Sequence, residues 1–201
     1  MAAVTIYVEG GGDTARGLQQ TRLAFGDFFS EFTGSMPKII SCGGRGKAYD
    51  DFIAAAENDP DAFIILLVDA ERSAGGRLPT EHLAAPPDRW NLDGIPDDRL
   101  HMMVQAVEAW MIADRDAVRD YFGQGFNENP LPGRPPETIP KDDLKRALEN
   151  AGRDTKKKGY HEISDGTEIL KLLDAATVRN KCGWCRRLFT VLSRETGVAL
   201  P

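Results

Sequence analysis

Short apolar runs that alternate with amphipathic segments predict an α/β core in the first half of the chain. Residues 63–68 (FIILLV) are apolar throughout, which is typical of a parallel strand covered on both faces. Residues 4–8 (VTIYV) and 38–42 (KIISC) precede glycines, as strands before tight loops do. Apolar positions at helical spacing predict helices over 14–32 and 48–57. This β-α-β-α-β order predicts a small parallel sheet of the Rossmannoid kind, flanked by helices.

The second half of the chain predicts one more strand, followed by helices. Residues 100–105 have the pattern of a fourth strand, and residues 107–122 have that of one continuous helix. Residues 123–140 hold five of the twelve prolines and predict a linker or a fixed loop. Three short helices are predicted beyond it, over 141–151, 166–173 and 184–195. We therefore expect an α/β core over 1–122 and, over 123–201, a Pro-rich connection with a basic helical extension packed on that core.

Two further connections are predicted from their composition. Gly34 is expected to end the first helix. Residues 72–98 are rich in glycine, proline and charge, and predict a long loop beside the sheet with a short helix near 81–84. Loops of that length in compact domains are usually functional.

The composition indicates a soluble globular protein whose charge is unevenly spread. The net charge is −6, and 41% of the 201 residues are hydrophobic. No apolar run approaches the roughly 18 residues of a membrane span, and the first residues do not resemble a secretory signal, so we expect a cytosolic protein. Residues 1–120 carry 11 basic and 20 acidic side chains, against 14 and 11 in residues 121–201. Any binding of nucleic acid therefore needs a local basic face, which the second part supplies.

Acidic residues follow three of the four predicted strands. Glu9 comes after the first strand, Asp69 and Glu71 after the third and Glu108 just after the fourth, while Asp13 lies in the glycine loop. The carboxyl ends of parallel strands gather ligands, and carboxylates crowded there need a cation. Carboxylate oxygens suit Mg²⁺ or Mn²⁺, so the pattern predicts a metal site. The alternative is that each acid is solvated, or caps a turn, because loops begin where strands end.

At these residues the chain resembles an uncharacterised bacterial family with a Toprim-like fold. The resemblance covers most of the chain and rests on the segments IYVEGGGD, LLVDAE, VEAWMIAD, GYHEISDGTEILKLLD and VRNKCGWCRRLF. It implies that Glu9 acts as general acid/base or metal ligand, and that Asp69 and Glu71 fill the two acidic positions of a DxD element. The second of those positions is Glu rather than Asp, which lengthens that arm by a methylene. The resemblance also implies an ATPase partner of the ABC or AAA type in phage defence or abortive infection.

Basic residues are the candidates for contact with nucleic acid. The segment GGRGKA resembles a phosphate-binding loop, but Ser41 stands where that loop has glycine and Ala48 lacks the hydroxyl that holds Mg²⁺. Its two basic side chains are candidates for a phosphate contact after the second strand. The complete set is Arg45, Lys47, Lys156, Lys157, Lys158, Arg186 and Arg187. Runs of this kind are more often solvated helix faces.

The remaining cysteines and histidines carry weaker signals. Cys182 and Cys185 have the spacing of a zinc or redox pair but supply only two ligands, so packing is the favoured interpretation. Completion of a zinc site by His161 or His101 is the alternative. His101 is expected in the core and His82 at the surface.

Three functions are compatible with these patterns. The first is a Mg²⁺- or Mn²⁺-dependent nuclease of the Toprim type that hydrolyses DNA or RNA under the control of an ATPase. The second is a non-catalytic partner or sensor subunit that binds an ATPase or a nucleic acid. The third, supported by the glycine loops alone, is a nucleotide-binding or phosphotransferase domain of flavodoxin-like topology. The choice between DNA and RNA, and pairing with a second copy of the chain, stay open.

Overall fold

The computed structural model describes residues 4–32 and 35–199, with the backbone alone at Ile163. The predicted end of the first helix at Gly34 lies outside these residues. The strands are β1 (Val4–Val8), β2 (Lys38–Ser41), β3 (Phe63–Asp69) and β4 (Leu100–Met103). The helices are α1 (Ala15–Phe28), α2 (Arg45–Asn58), α3 (Pro79–Ala84), α4 (Glu108–Ala113), α5 (Arg115–Phe122), α6 (Lys141–Gly152), α7 (Glu162–Leu170), α8 (Ala175–Lys181) and α9 (Gly183–Thr196). Across the described ranges, no helix is long and apolar enough to cross a bilayer.

The four strands form one parallel sheet in the order β2-β1-β3-β4. The predicted α/β class, with a parallel sheet flanked by helices, is therefore confirmed. The central strand β3 is buried on both faces, as its unbroken apolar run predicts. Ile65 and Leu67 pack into the cluster beneath α1, whereas Leu66 and Val68 pack into the cluster beneath α2 and α3.

Aromatic side chains join helix α9 to helices α1 and α4. The Phe28 ring of α1 lies 5.0 Å from the Trp110 ring of α4 and 5.6 Å from the Phe189 ring of α9, between centroids. All three side chains are almost fully buried in one cluster. Residues from 1–122 and from 123–201 thus share one hydrophobic cluster, and the division between them stays a prediction.

The prediction of one helix over 107–122 is wrong. The segment forms α4 and α5, and the break lies at Asp114. The Asp114 carboxylate accepts a hydrogen bond from the backbone N–H of Ala117 at 3.3 Å and another from Asp174 at 2.8 Å. Capping of this kind starts a new helix. The C-terminal part also holds four helices among the described residues rather than three, because residues 175–181 form α8.

Candidate functional site

The carboxyl ends of β1 and β3 bring the first two predicted acids together. The Oε2 atom of Glu9 accepts a hydrogen bond from the backbone N–H of Asp69 at 3.1 Å. Beyond β3 the chain continues beside β4, since the Ala70 N–H bonds to Met103 O and the Glu71 N–H to Gln105 O. Glu71 has a φ of 62°. Together with Glu108, these side chains form what we call the acidic edge: Glu9, Asp69, Glu71 and Glu108.

Lys141, the first residue of α6, bridges two of these acids. Its Nζ atom lies 3.1 Å from Oδ2 of Asp69 and 2.5 Å from Oε1 of Glu71. The shared contact brings both carboxylates to one cation. Alternation along a strand does not explain it, because β3 ends at Asp69 and Glu71 has a positive φ. Burial opposes the charge of Lys141, but attraction to Asp69 and Glu71 outweighs it and raises the pKa of the ammonium. Lys141 is therefore a resident cation of the acidic edge.

Arg45 is the second cation at this edge. Its guanidinium lies 3.3 Å from Glu9 and forms a two-pronged ion pair with Asp88 at 2.8 and 2.9 Å. It also donates to the carbonyl of Asp69 and covers the ring of Trp90. Only 16% of its side chain is exposed. The structure therefore places Arg45 within the acidic edge rather than on a solvated loop, and its contact with nucleic acid stays a prediction.

Glu108 lies behind Asp69 at the start of α4. Its Oε1 atom accepts a hydrogen bond from the hydroxyl of Tyr160 at 3.1 Å, while its Oε2 atom is buried without a hydrogen-bond partner. Asp69 itself accepts the backbone N–H of Val107 at 3.0 Å. Burial and the nearby charge of Asp69 raise the pKa of Glu108 to about 7.

Negative charge at the acidic edge is incompletely neutralised. Burial and then the charge of Asp69 raise the pKa of Glu9 to about 7, against the opposing attraction of Arg45. Burial also raises the pKa of Asp69, although Lys141 opposes the shift. Five carboxylates here face three cationic side chains: Glu9, Asp69, Glu71, Asp88 and Glu108 against Arg45, Arg72 and Lys141. When all are ionised, two negative charges lack a cationic partner.

The donor set fits a single divalent ion. Within the described residues, no three His, Cys, Asp or Glu side chains are grouped so as to hold a metal. However, Mg²⁺ is commonly held by one or two carboxylates plus water and substrate phosphate. Glu9 and Asp69 are two such carboxylates, near enough for the charge of Asp69 to raise the pKa of Glu9. The two uncompensated charges and the orphaned oxygen of Glu108 support the same conclusion. Asp13 is exposed on the loop beside Gly43, and its role as a metal ligand stays a prediction.

A pocket of about 400 Å³ opens from the acidic edge. It lies between the glycine loop of residues 10–12, the first turns of α1, and α7. Gly11 has a φ of 92°, and a Cβ at Gly17 would lie 2.0 Å from its carbonyl oxygen. Glycine at both positions lets the loop lie directly against the helix. The loop thus forms one wall of the pocket with backbone alone.

The predicted nucleic-acid contacts are dispersed over the molecule. Arg187 donates to the carbonyls of Leu100 and Asp97 at the amino end of β4, so the sheet separates it from the acidic edge. Arg186 donates to the carbonyls of residues 179 and 180 at the end of α8. Lys47 pairs with Asp51 on α2. In contrast, Lys156, Lys157 and Lys158 are exposed just before Tyr160, which lines the pocket.

The cysteines and two of the three histidines are buried in the interior. Cys182 and Cys185 are fully buried in the hydrophobic cluster, and burial raises the pKa of both thiols. His101 is in the core, where burial and Arg187 lower its pKa to about 3, and His161 is exposed. The prediction of a surface position for His82 is wrong, because its ring is buried with Nε2 2.9 Å from the carbonyl of Ala70.

Two residues of the site, Lys141 and Asp88, have no role in the sequence predictions. For Tyr160 the sequence favours core packing, with stacking on a base as the alternative, and the side chain is buried in the hydrophobic cluster. One signal for Lys141 exists: a lysine at the first position of α6 opposes the helix dipole, which favours acids there. Asp142 and Asp143, which follow it, obey that preference.

Comparison with known proteins identifies the family. No curated protein and no solved structure matches the chain. One family model, described as "Domain of unknown function (DUF4276)", matches residues 12–193. The match begins after Glu9 and includes Asp69, Glu71 and Glu108. Because it covers most of the chain, this protein belongs to the DUF4276 family.

Proposed function

We propose that this protein is a cytosolic Mg²⁺- or Mn²⁺-dependent phosphodiesterase of the Toprim type that hydrolyses DNA or RNA. The observation that carries the proposal is the acidic edge, where carboxylates outnumber cationic side chains at the mouth of a pocket. An excess of buried carboxylates is costly unless a cation or a proton compensates it. A divalent ion is the cation that this donor set suits.

Each residue at the edge has a role in this proposal. Glu9 and Asp69 hold the metal, and Glu108 adds negative charge behind Asp69. A bound Mg²⁺ or Mn²⁺ supplies an ionised water and neutralises charge on the phosphate. Arg45 fixes the orientation of Glu9, because Asp88 holds its guanidinium on the other side. Lys141 lines the same pocket and provides a positive charge for the phosphate oxygens.

One observation favours a second function. Lys141 already pairs with both Asp69 and Glu71, so a cation is present between the two acidic positions of the DxD element. A chain that relied on this lysine instead of a metal would be a non-catalytic partner or sensor that binds an ATPase or a nucleic acid. Action together with an ATPase in phage defence rests on the family resemblance in either case.

Metal-dependent cleavage by the purified chain separates these functions. We expect Mn²⁺ or Mg²⁺, but not EDTA, to support hydrolysis of DNA or RNA. Glu9→Gln and Asp69→Asn should each reduce the rate at least about 100-fold, since each removes a carboxylate that would hold the metal. Glu57→Gln is the matched control, because Glu57 is exposed on α2. Full activity in both site variants contradicts the assignment, and absence of saturable Mn²⁺ binding at millimolar metal leaves the non-catalytic function.

A further inference from the structure

The pocket combines charged and apolar walls. Glu9, Asp69 and Lys141 line it with charged groups. Apolar and aromatic side chains line it as well, and we call the part that they form the apolar compartment: Phe25, Met103, Val107, Tyr160 and Leu170. The volume of about 400 Å³ falls in the range of small-molecule sites. The pocket therefore offers charged groups beside an apolar compartment large enough for one planar ring system.

A buried hydroxyl in this compartment lacks a hydrogen-bond partner. Thr21 of α1 lines the pocket with 3% of its surface exposed, and its Oγ1 atom makes no hydrogen bond. A buried hydroxyl left unpaired costs about 1–3 kcal/mol, which a ligand atom within reach would recover. Gln20 and Thr167 also line the pocket and add side chains that both donate and accept.

We propose that this compartment receives one unpaired nucleotide of a single-stranded nucleic acid. Its base lies between the aromatic and apolar walls, its edge bonds to the hydroxyl of Thr21, and its phosphodiester lies at the acidic edge. The inference rests on the proposed phosphodiesterase function and names its substrate class. A paired base cannot enter such a pocket, because it is stacked inside the duplex and must first be extruded. The substrate is therefore a single strand or a frayed end.

Two adjacent glutamines of α1 provide a matched test. Gln20 lines the pocket, whereas Gln19 is exposed and does not. A tryptophan at position 20 fills the compartment, and one at position 19 projects into solvent. The probe is a fluorescein-labelled oligothymidylate, titrated by anisotropy in EDTA so that no turnover occurs. Base stacking is worth about 1–3 kcal/mol, so Gln20→Trp should weaken binding about 5- to 100-fold while Gln19→Trp stays within about twofold of the parent.

A second variant and a competitor complete the test. Thr21→Val keeps the shape of the side chain but removes the hydroxyl, and should weaken competition by thymidine 5′-monophosphate about 3- to 10-fold. A blunt duplex of the same sequence should compete at least about tenfold less well than the single strand. Equal binding by the two tryptophan variants, or equal competition by the duplex, overturns the inference.

The two proposals fail in different ways. If Mn²⁺ supports cleavage but Gln20→Trp and Gln19→Trp cleave and bind alike, hydrolysis stands and the nucleotide compartment does not. If no condition gives cleavage but Gln20→Trp alone loses binding in EDTA, the compartment stands and hydrolysis does not. Circular dichroism and a cooperative melt of each variant exclude misfolding as the cause of lost binding, and a misfolded Gln20→Trp leaves Thr21→Val to decide.

Discussion

The two ends of the sheet differ in how far their polar groups are paired. At the amino end, Arg187 donates to the carbonyls of Leu100 and Asp97, and Arg99 donates to the carbonyl of Ala62. These bonds satisfy neutral acceptors at the start of β3 and β4. At the carboxyl end, the acidic edge holds more carboxylates than its cations neutralise. The carbonyls at the amino end are paired by side chains of the same chain. The carboxylates at the carboxyl end need a further cation or protons.

Unpaired buried atoms mark the same difference. Among the described residues, five buried side-chain atoms have no hydrogen-bond partner, and none belongs to the contacts of Arg187 or Arg99: Thr21 Oγ1, Arg72 Nη1, His82 Nδ1, Glu108 Oε2 and Trp110 Nε1. Folded proteins pair nearly all such groups, so an unpaired one needs an explanation. A bound cation would account for the unpaired oxygen of Glu108, and a bound nucleotide would account for the unpaired hydroxyl of Thr21. Ligand binding should therefore depend on the carboxyl end of the sheet and be independent of the amino end.

The largest expected effect is the pH dependence of stability at Glu108. Its pKa of about 7 in the folded protein exceeds the ordinary value of 4.5, so the folded state binds the proton more tightly. The resulting stabilisation is present below pH 4.5 and is lost as the pH rises to about 7. As the pH rises from 4.5 to about 7, the free energy of unfolding of the parent protein should therefore fall by about 3 kcal/mol relative to that of Glu108→Gln, since one pKa unit is worth about 1.4 kcal/mol.

Denaturant unfolding in EDTA measures this difference at a series of pH values. Glu57→Gln is again the control, because its exposed carboxylate should leave the pH profile unchanged. Saturating Mn²⁺ should reduce the effect of Glu108→Gln, since the ion stabilises the ionised carboxylates nearby. Parallel profiles for Glu108→Gln and the parent would place the unpaired oxygen in an ordinary solvated setting.

The next effect concerns the amino end of the sheet. Arg187→Met leaves the carbonyls of Leu100 and Asp97 without donors, and should lower the free energy of unfolding by about 2 kcal/mol. The loss should be the same with and without Mn²⁺, because the sheet lies between Arg187 and the acidic edge. Binding of Mn²⁺ to the folded variant, followed by calorimetry, should be unchanged. A change in metal affinity would contradict the proposed independence of the two ends.

The sequence predicts the sheet better than the helices around it. The apolar run at 63–68 has one reasonable interpretation, and burial of β3 on both faces follows from it. The break in the helix at Asp114 is different, because the carboxylate that caps α5 also accepts the N–H of Asp174, which is sixty residues away. A contact so remote leaves no trace in local periodicity. Tertiary contacts of this kind override the helical pattern.

The acids of the site could be predicted, but not their partners. Glu9, Asp69 and Glu71 follow strands, and parallel strands end at one edge. Lys141 reaches Asp69 across seventy-two residues, and Tyr160 reaches Glu108 across fifty-two. Both belong to segments whose packing against the sheet depends on the whole core. A sequence pattern identifies residues that strands carry to an edge, whereas residues delivered by distant helices require the fold.

Removal of the resident cation should have an intermediate effect. Lys141→Met frees Asp69 and Glu71, and Mn²⁺ should then bind about tenfold more tightly, because the ion no longer competes with the ammonium. Isothermal titration with Mn²⁺ measures the change. Arg146→Met is the matched control, since Arg146 is exposed on the same helix and pairs with Asp143 instead. Weaker binding in Lys141→Met would show that the lysine assists metal binding rather than competing with it.

The smallest effect concerns the exposed lysines before Tyr160. Replacing Lys156, Lys157 and Lys158 with glutamine should weaken binding of a single strand severalfold and should reduce the salt dependence of the binding constant. Each lost phosphate contact lowers the slope against the logarithm of salt concentration by about 0.7 for single strands. Arg186→Gln, whose side chain caps α8, should leave the slope unchanged. If instead Arg186 alone alters the slope, nucleic acid approaches the end of the helical extension, and the acidic edge is not where the strand lies.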